Sequence, residues 1–126
     1  MSPNLENELF EKYPHLFQDG EGAVSCRTID VGDGWFPIIE KFLKASYEHF
    51  EATGISIDEF QIIEIKEKFG SLRLYSNVYE ETIFKLSEQA YDESLHICEL
   101  SGQPGSLFTK FGMVKTLSPD VAAQYG

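Results

Sequence analysis

The chain has 126 residues, 42% of them apolar and 13% aromatic, which suits one domain spanning 1–126 that buries about two-thirds of its unfolded surface and argues against disorder. Twenty-one acids against ten Lys and Arg give a net charge of −11, which speaks against direct nucleic-acid binding because counterion release needs clustered bases. No apolar run approaches the ~20 residues that span a bilayer, and the start MSPNLENELFEK lacks the basic and apolar regions of an export signal, so a soluble cytoplasmic protein is expected.

In chain order, residues 4–13 predict a short helix, with Leu5, Leu9 and Tyr13 on one stripe, Phe10 widening it and Pro14 ending it. Leu16 and Phe17 then enter the core, and the Gly-rich, acidic stretch Gln18–Ala23 is a loop. Its glycines make no phosphate-binding loop, because no strand precedes them and no GK[ST] follows. Cys26–Val31 predicts a strand with Cys26, Thr28 and Asp30 on one side and Arg27, Ile29 and Val31 on the other. Gly32-Asp33-Gly34 leads into the longest helix, 35–52, capped by Asp33 or Gly34, with Pro37 in the first turn and Gly54 as the stop. Trp35, Ile38, Ile39, Phe42, Leu43, Tyr47 and Phe50 form its apolar stripe.

The stretch FQIIEIKEKFGSLRLY, 60–75, predicts a β-hairpin turning at Lys68-Phe69-Gly70. Alternation is clean in the second arm, whereas the Ile62-Ile63 pair breaks it in the first and predicts a bulge or burial on both faces. A second main helix, 80–95, is expected behind a cap at Asn77 or Ser76, burying Ile83, Leu86, Ala90 and Leu95, joined by Phe84 and Tyr91. The apolar runs Ile97–Leu100, Leu107–Phe111 and Met113–Leu117, separated by Gly and Pro, predict a small ribbon, and Ser118-Pro119-Asp120 has the form of a helix start. The fold class is therefore α+β: a small antiparallel sheet around the 60–75 hairpin, covered on one face by the 35–52 and 80–95 helices, with a C-terminal ribbon.

Chemistry-bearing residues are sparse. His15, His49 and His96 fall in no HExxH spacing, and no Ser sits in a GxSxG elbow. Cys98 beside His96 and Glu99 is the nearest thing to a catalytic group, since residues i and i+2 of a strand share a face; nucleophile–base pairs, however, usually come from separate segments. Cys26 and Cys98, far apart in a chain without an export signal, are expected to be reduced thiols. The acid pairs Asp58-Glu59, Glu80-Glu81 and Asp92-Glu93 are candidates for metal or partner contacts; a solvated helix or loop end is the alternative for each. Acidity is uneven, twelve acids and four bases before residue 61 against nine and six after it, and general solubility is its commoner explanation.

The order YPHLF, GDGWFPIIEKF, IIEIKEKFGSLRLY, a helix ending near a Cys, then SGQPG and KTLS resembles a family of small phage and prophage proteins. Members of that family carry a Tyr-Pro-x-Leu-Phe start, a Gly-Trp helix, a Lys-Phe-Gly-(Ser/Thr)-Leu-Arg hairpin and a C-terminal zinc ribbon. The resemblance covers nearly the whole chain and is most specific at Lys68–Tyr75. It implies a decayed ribbon: Cys98 stands at the first ligand position, but Ser101, Ser118 and Val121 occupy the others. One thiolate cannot supply the four N or S donors of a structural zinc site, so no metal or other cofactor is expected. Leu100, Leu107, Phe108, Val114 and Leu117 are expected to hold the ribbon instead.

With no catalytic constellation, the leading expectation is a non-enzymatic acidic binding protein, specifically an immunity protein against a basic, nuclease-type toxin domain. Because Lys66, Lys68 and Arg73 place positive charge on the hairpin, the expected partner surface is the acids flanking it: Asp58, Glu59, Glu80, Glu81, Glu88, Asp92 and Glu93. Rival expectations are a phage accessory protein or DNA mimic acting on host enzymes, and a thiol enzyme using Cys98 and His96.

Overall fold

The computed structural model describes residues 1–125. Helix α1 (Pro3–Lys12) is followed by a one-turn helix α2 (Pro14–Phe17), because Pro14 interrupts α1 yet fits the first turn of its successor. Leu9, Tyr13, Leu16 and Phe17 are all buried. The acidic loop that follows is held by Asp19, whose carboxylate accepts the amides of Glu21 and Ala23.

Only Ile29–Asp30 of the expected Cys26–Val31 strand is extended and paired (β1). A 3₁₀ turn (Asp33–Trp35) and the long helix α3 (Phe36–Thr53) come next. Trp35 is the N-cap of α3, without a side-chain cap, in place of the expected Asp33 or Gly34, because the chain is already turning at Asp33. Gly54 stops α3 with φ +71°, and Ile38, Ile39, Phe42, Leu43 and Phe50 fill its buried face.

The hairpin is present as β2 (Ile62–Lys68) and β3 (Ser71–Ser76), joined by Phe69 and Gly70 at φ +53° and +80°, a two-residue turn of the primed type. The pairing shifts between Ile62 and Glu64, so Ile63 bulges outward while Ile62 stays in the core. The sheet runs β1-β2-β3, and β1 lies parallel to β2. A purely antiparallel sheet is thus corrected to a mixed one. The connection through α3 is long enough for the crossover that a parallel pair requires.

Helix α4 (Glu81–Ser94) is capped by Glu80, whose carboxylate accepts the Ile83 amide at 2.8 Å, and not by Asn77 or Ser76. Asn77 instead closes the open end of the hairpin, accepting the Gln61 amide at 2.9 Å and donating its own backbone amide to the Gln61 carbonyl. Ile83 and Ala90 are buried, but Leu86, Tyr91 and Leu95 are only half-buried and Phe84 is 45% exposed. The buried stripe of α4 is narrower than its apolar pattern suggested.

The ribbon is a second hairpin, β4 (Ser106–Lys110) and β5 (Met113–Leu117), turning at Phe111-Gly112, again with two successive positive φ values, +57° and +76°. A short helix α5 (Pro119–Ala123) ends the described chain, capped by Ser118. The expectation that leucines and a phenylalanine hold the ribbon is overturned at Leu100 and Leu107, which are 49% and 58% exposed. Phe108 and Val114 are half-buried, and only Leu117 is enclosed. A two-stranded ribbon has too little surface to wrap its own side chains. Polar bonds fix it: the buried Thr116 hydroxyl donates to the Gly70 carbonyl at 2.6 Å, the Glu99 amide donates to the Thr116 carbonyl, and Lys115 lies 2.9 Å from Glu67 and 3.5 Å from Glu99.

Candidate functional site

The four positions to which the resemblance assigns zinc ligands come together. The Cys98 sulfur accepts the Ser101 amide at 3.4 Å, the Ser101 and Ser118 hydroxyls are 3.3 Å apart, and the Val121 amide reaches the Ser118 hydroxyl. The Gly-Asp-Gly-Trp loop clamps this turn from outside, with the Gly34 amide donating to the Glu99 carbonyl at 2.7 Å and the Trp35 indole donating to the Ile97 carbonyl at 2.8 Å. Burial works against a Cys98 thiolate, but hydrogen bonds from Ser101 and from the Ser118 and Leu100 backbone outweigh it and bring the thiol down to about 7. Neutral hydroxyls and one sulfur do not make a zinc site, and among the described residues no cluster of three His, Cys, Asp or Glu could hold a metal.

Cys98 is fully buried, whereas His96 is exposed and forms no hydrogen bond with it. The shared strand face expected for this pair does not exist, because residues 97–104 fold into a turn closed by the Cys98 and Gly105 amides. Both cysteines are unpaired, and burial pushes the Cys26 thiol up.

The seven acids do not form one patch of equivalent groups. Glu80 caps α4 and lies 3.2 Å from His49; burial opposes its ionisation, but the Ile83 amide and His49 prevail and hold its carboxyl below the usual range. Glu81 pairs with Lys85 one turn on, and Glu93 pairs with Lys41 of α3. Asp58, Glu59, Glu88 and Asp92 are exposed and enter no ion pair among the described residues. Asp58 and Glu59 sit on the 3₁₀ turn after α3, away in the chain from Glu88 and Asp92 on α4.

Between β3 and α4 runs a groove of about 450 Å³ that the residue pattern does not announce. Its walls include Leu72, Arg73, Leu74 and Tyr75 of the strand, Val78 and Tyr79 of the connecting loop, and Phe84, Glu88 and Tyr91 of the helix. Tyr79 is 75% exposed and stacks at 5.5 Å on Phe84, and the Arg73 guanidinium lies over the Tyr91 ring at 5.1 Å. The available sequence signal was the surplus of aromatics at 75, 79, 84 and 91 around an otherwise polar helix; assigning Phe84 and Tyr91 to the core hid it.

The chain matches no family model, no curated protein and no solved structure.

Proposed function

We propose that the protein is a non-enzymatic binder, an immunity protein that neutralises a basic nuclease-type toxin domain by covering or flanking its substrate groove. The observation that carries the reading is a net charge of −11 with Asp58, Glu59, Glu88 and Asp92 left exposed and without an ion pair among the described residues. Such charges steer a basic partner into encounter and raise the association rate more than they raise affinity. The exposed aromatics at 75, 79 and 84 supply anchors of the kind that dominate binding energy. The resemblance to mobile-element proteins points the same way.

The test is a pull-down with a basic toxin domain encoded beside this gene, together with deletion of the gene in a strain exposed to that toxin. A one-to-one complex whose association slows steeply between low and high salt, and toxin sensitivity on deletion, support the reading. No complex and no sensitivity remove it. Competition with DNA for a host enzyme, without protection from a toxin, moves the assignment to a DNA mimic.

A further inference from the structure

We infer that the groove between β3 and α4 takes an extended, Lys- or Arg-bearing segment of a partner protein as an added strand on β3. The inference deepens the function proposed above and rests on it for the basic character of the partner.

The strand has one edge in use and one free. Asn77 pairs inward with Gln61, and Leu72 sends its amide outward to the Ser94 hydroxyl at 2.9 Å, which fixes the alternation along β3. Arg73 and Tyr75 therefore bond to β2, whereas Leu74 and Ser76 present both amide and carbonyl to the groove, together with the Leu72 carbonyl. None of these five groups has a partner among the described residues. An edge with unpaired amides and carbonyls is a template for another strand. Its only charged residue, Arg73, lines the groove, with its guanidinium over the Tyr91 ring and its Nε donating to the Ser71 hydroxyl.

The surroundings select the guest. Val78, Tyr79 and Phe84 are 46%, 75% and 45% exposed and offer an apolar wall to alternate side chains. Glu81, Glu88 and Asp92 fall at i, i+7 and i+11 on α4, one stripe along the helix, and Lys85 neutralises only the first of them. Glu88 itself lines the groove. Basic side chains on the guest match that rim. A second copy of this chain brings −11 to the same rim and is repelled.

The test uses the full chain, ¹⁵N-labelled, titrated with the capped peptide Lys-Val-Lys-Val-Lys-Val-Lys. The controls are its Glu-for-Lys counterpart and two versions N-methylated at the valines or at the lysines. The expected result is that the Leu74 and Ser76 amides shift and gain exchange protection, the Glu peptide does not bind, and only one N-methyl version loses binding, since a strand pairs along a single edge. Ser76→Pro removes one outward amide and should weaken binding about three- to tenfold, the worth of one hydrogen bond, as should reversing the exposed rim charge in Glu88→Lys. The inference is overturned by no saturable binding, by shifts centred on Asp58 and Glu59, by both N-methyl versions binding like the parent, or by the protein dimerising through this edge without peptide. A toxin domain that binds while Leu74 and Ser76 stay silent removes the groove and leaves the immunity reading standing. A peptide that docks on β3 of a protein that protects against no toxin does the reverse.

Discussion

The two ends of the β2–β3 hairpin lie in opposite environments. At the turn, Gly70 is pressed against the ribbon, Thr116 bonds to its carbonyl, and Lys115 lies between Glu67 and Glu99. Next to that junction the Gly-Asp-Gly-Trp loop and the Cys98 turn interlock backbone against backbone. At the other end, Ser76 runs into a loop with three exposed aromatic or branched residues nearby and an edge where the outward backbone groups of Leu74 and Ser76 lack partners among the described residues. The first region is held by several contacts at once, whereas the second leaves polar and apolar surface exposed.

The strongest way to break this contrast is at Gly34. A Cβ there would stand 2.2 Å from the Cys98 carbonyl oxygen, 2.5 Å from the Gly102 amide nitrogen and 2.6 Å from the Glu99 carbonyl oxygen, all of them backbone atoms. Gly34→Ala should destabilise by about 3 kcal/mol or more, read as a lower urea midpoint. Gly20→Ala, where a Cβ meets nothing within 4 Å, should change the unfolding free energy by no more than about 0.5 kcal/mol. Equal effects at the two positions would mean that the interlocked end is not tight.

Much of that end was readable beforehand, though not for its true reason. The α+β class, the hairpin and its turn at Phe69-Gly70, the α3 stripe and the Ser118 cap all follow from local chemistry, since propensity, periodicity and turn residues act over a few positions. The close approach of Gly34 to Cys98 does not, because it joins segments more than sixty residues apart and leaves only two ordinary glycines in the sequence. The α4 cap is decided by competition: Asn77 is a better cap than Glu80 by type, but it is taken by Gln61. The groove was missed because the aromatics at 84 and 91 fit a helical core pattern as well as they fit a surface. Of the seven acids chosen, three turn out to be engaged within the fold.

A second measurement sharpens the contrast through pH. Cys98 ionises near 7 in the folded protein against about 9 for an ordinary thiol, so between those values the folded state binds fewer protons than the unfolded state. Its contribution is full above pH 9 and is lost as the pH falls through 7. Stability should therefore rise from pH 7 to 9, on the order of 2 kcal/mol, and Cys98→Ser should flatten that rise. Cys26 shifts the other way, so its loss should leave the window between 7 and 9 unchanged; its own effect begins above pH 9, where the raised thiol costs stability. Denaturant midpoints at half-unit pH steps decide the matter, and a rise that survives in Cys98→Ser assigns it to another group.

Lys115 gives a smaller effect at the same junction. Burial works to lower its pKa, but Glu67 and Glu99 hold it above the usual lysine value, and Glu99 is itself buried. Lys115→Met strips both carboxylates of their cation. Because Lys115 is about one-third exposed, solvent screens the loss, and about 1 kcal/mol is expected, less in high salt. Stability unchanged by the substitution would show that the ribbon is held by Thr116 and the backbone alone.

The free edge should give the smallest change in stability of all. Ser76 ends β3, its amide points away from β2, and Tyr75 before it is already extended, so proline meets neither a lost ladder bond nor a clash with helical backbone. Its hydroxyl bonds only to the nearby Val78 carbonyl, a surface contact. Ser76→Pro should change the unfolding free energy measured in urea by no more than about 0.5 kcal/mol, as should Tyr79→Ser, which removes the most exposed side chain of the groove. A large loss from either would mean that the edge and its aromatics belong to the fold's own stability, and would count against the docking proposed for this groove.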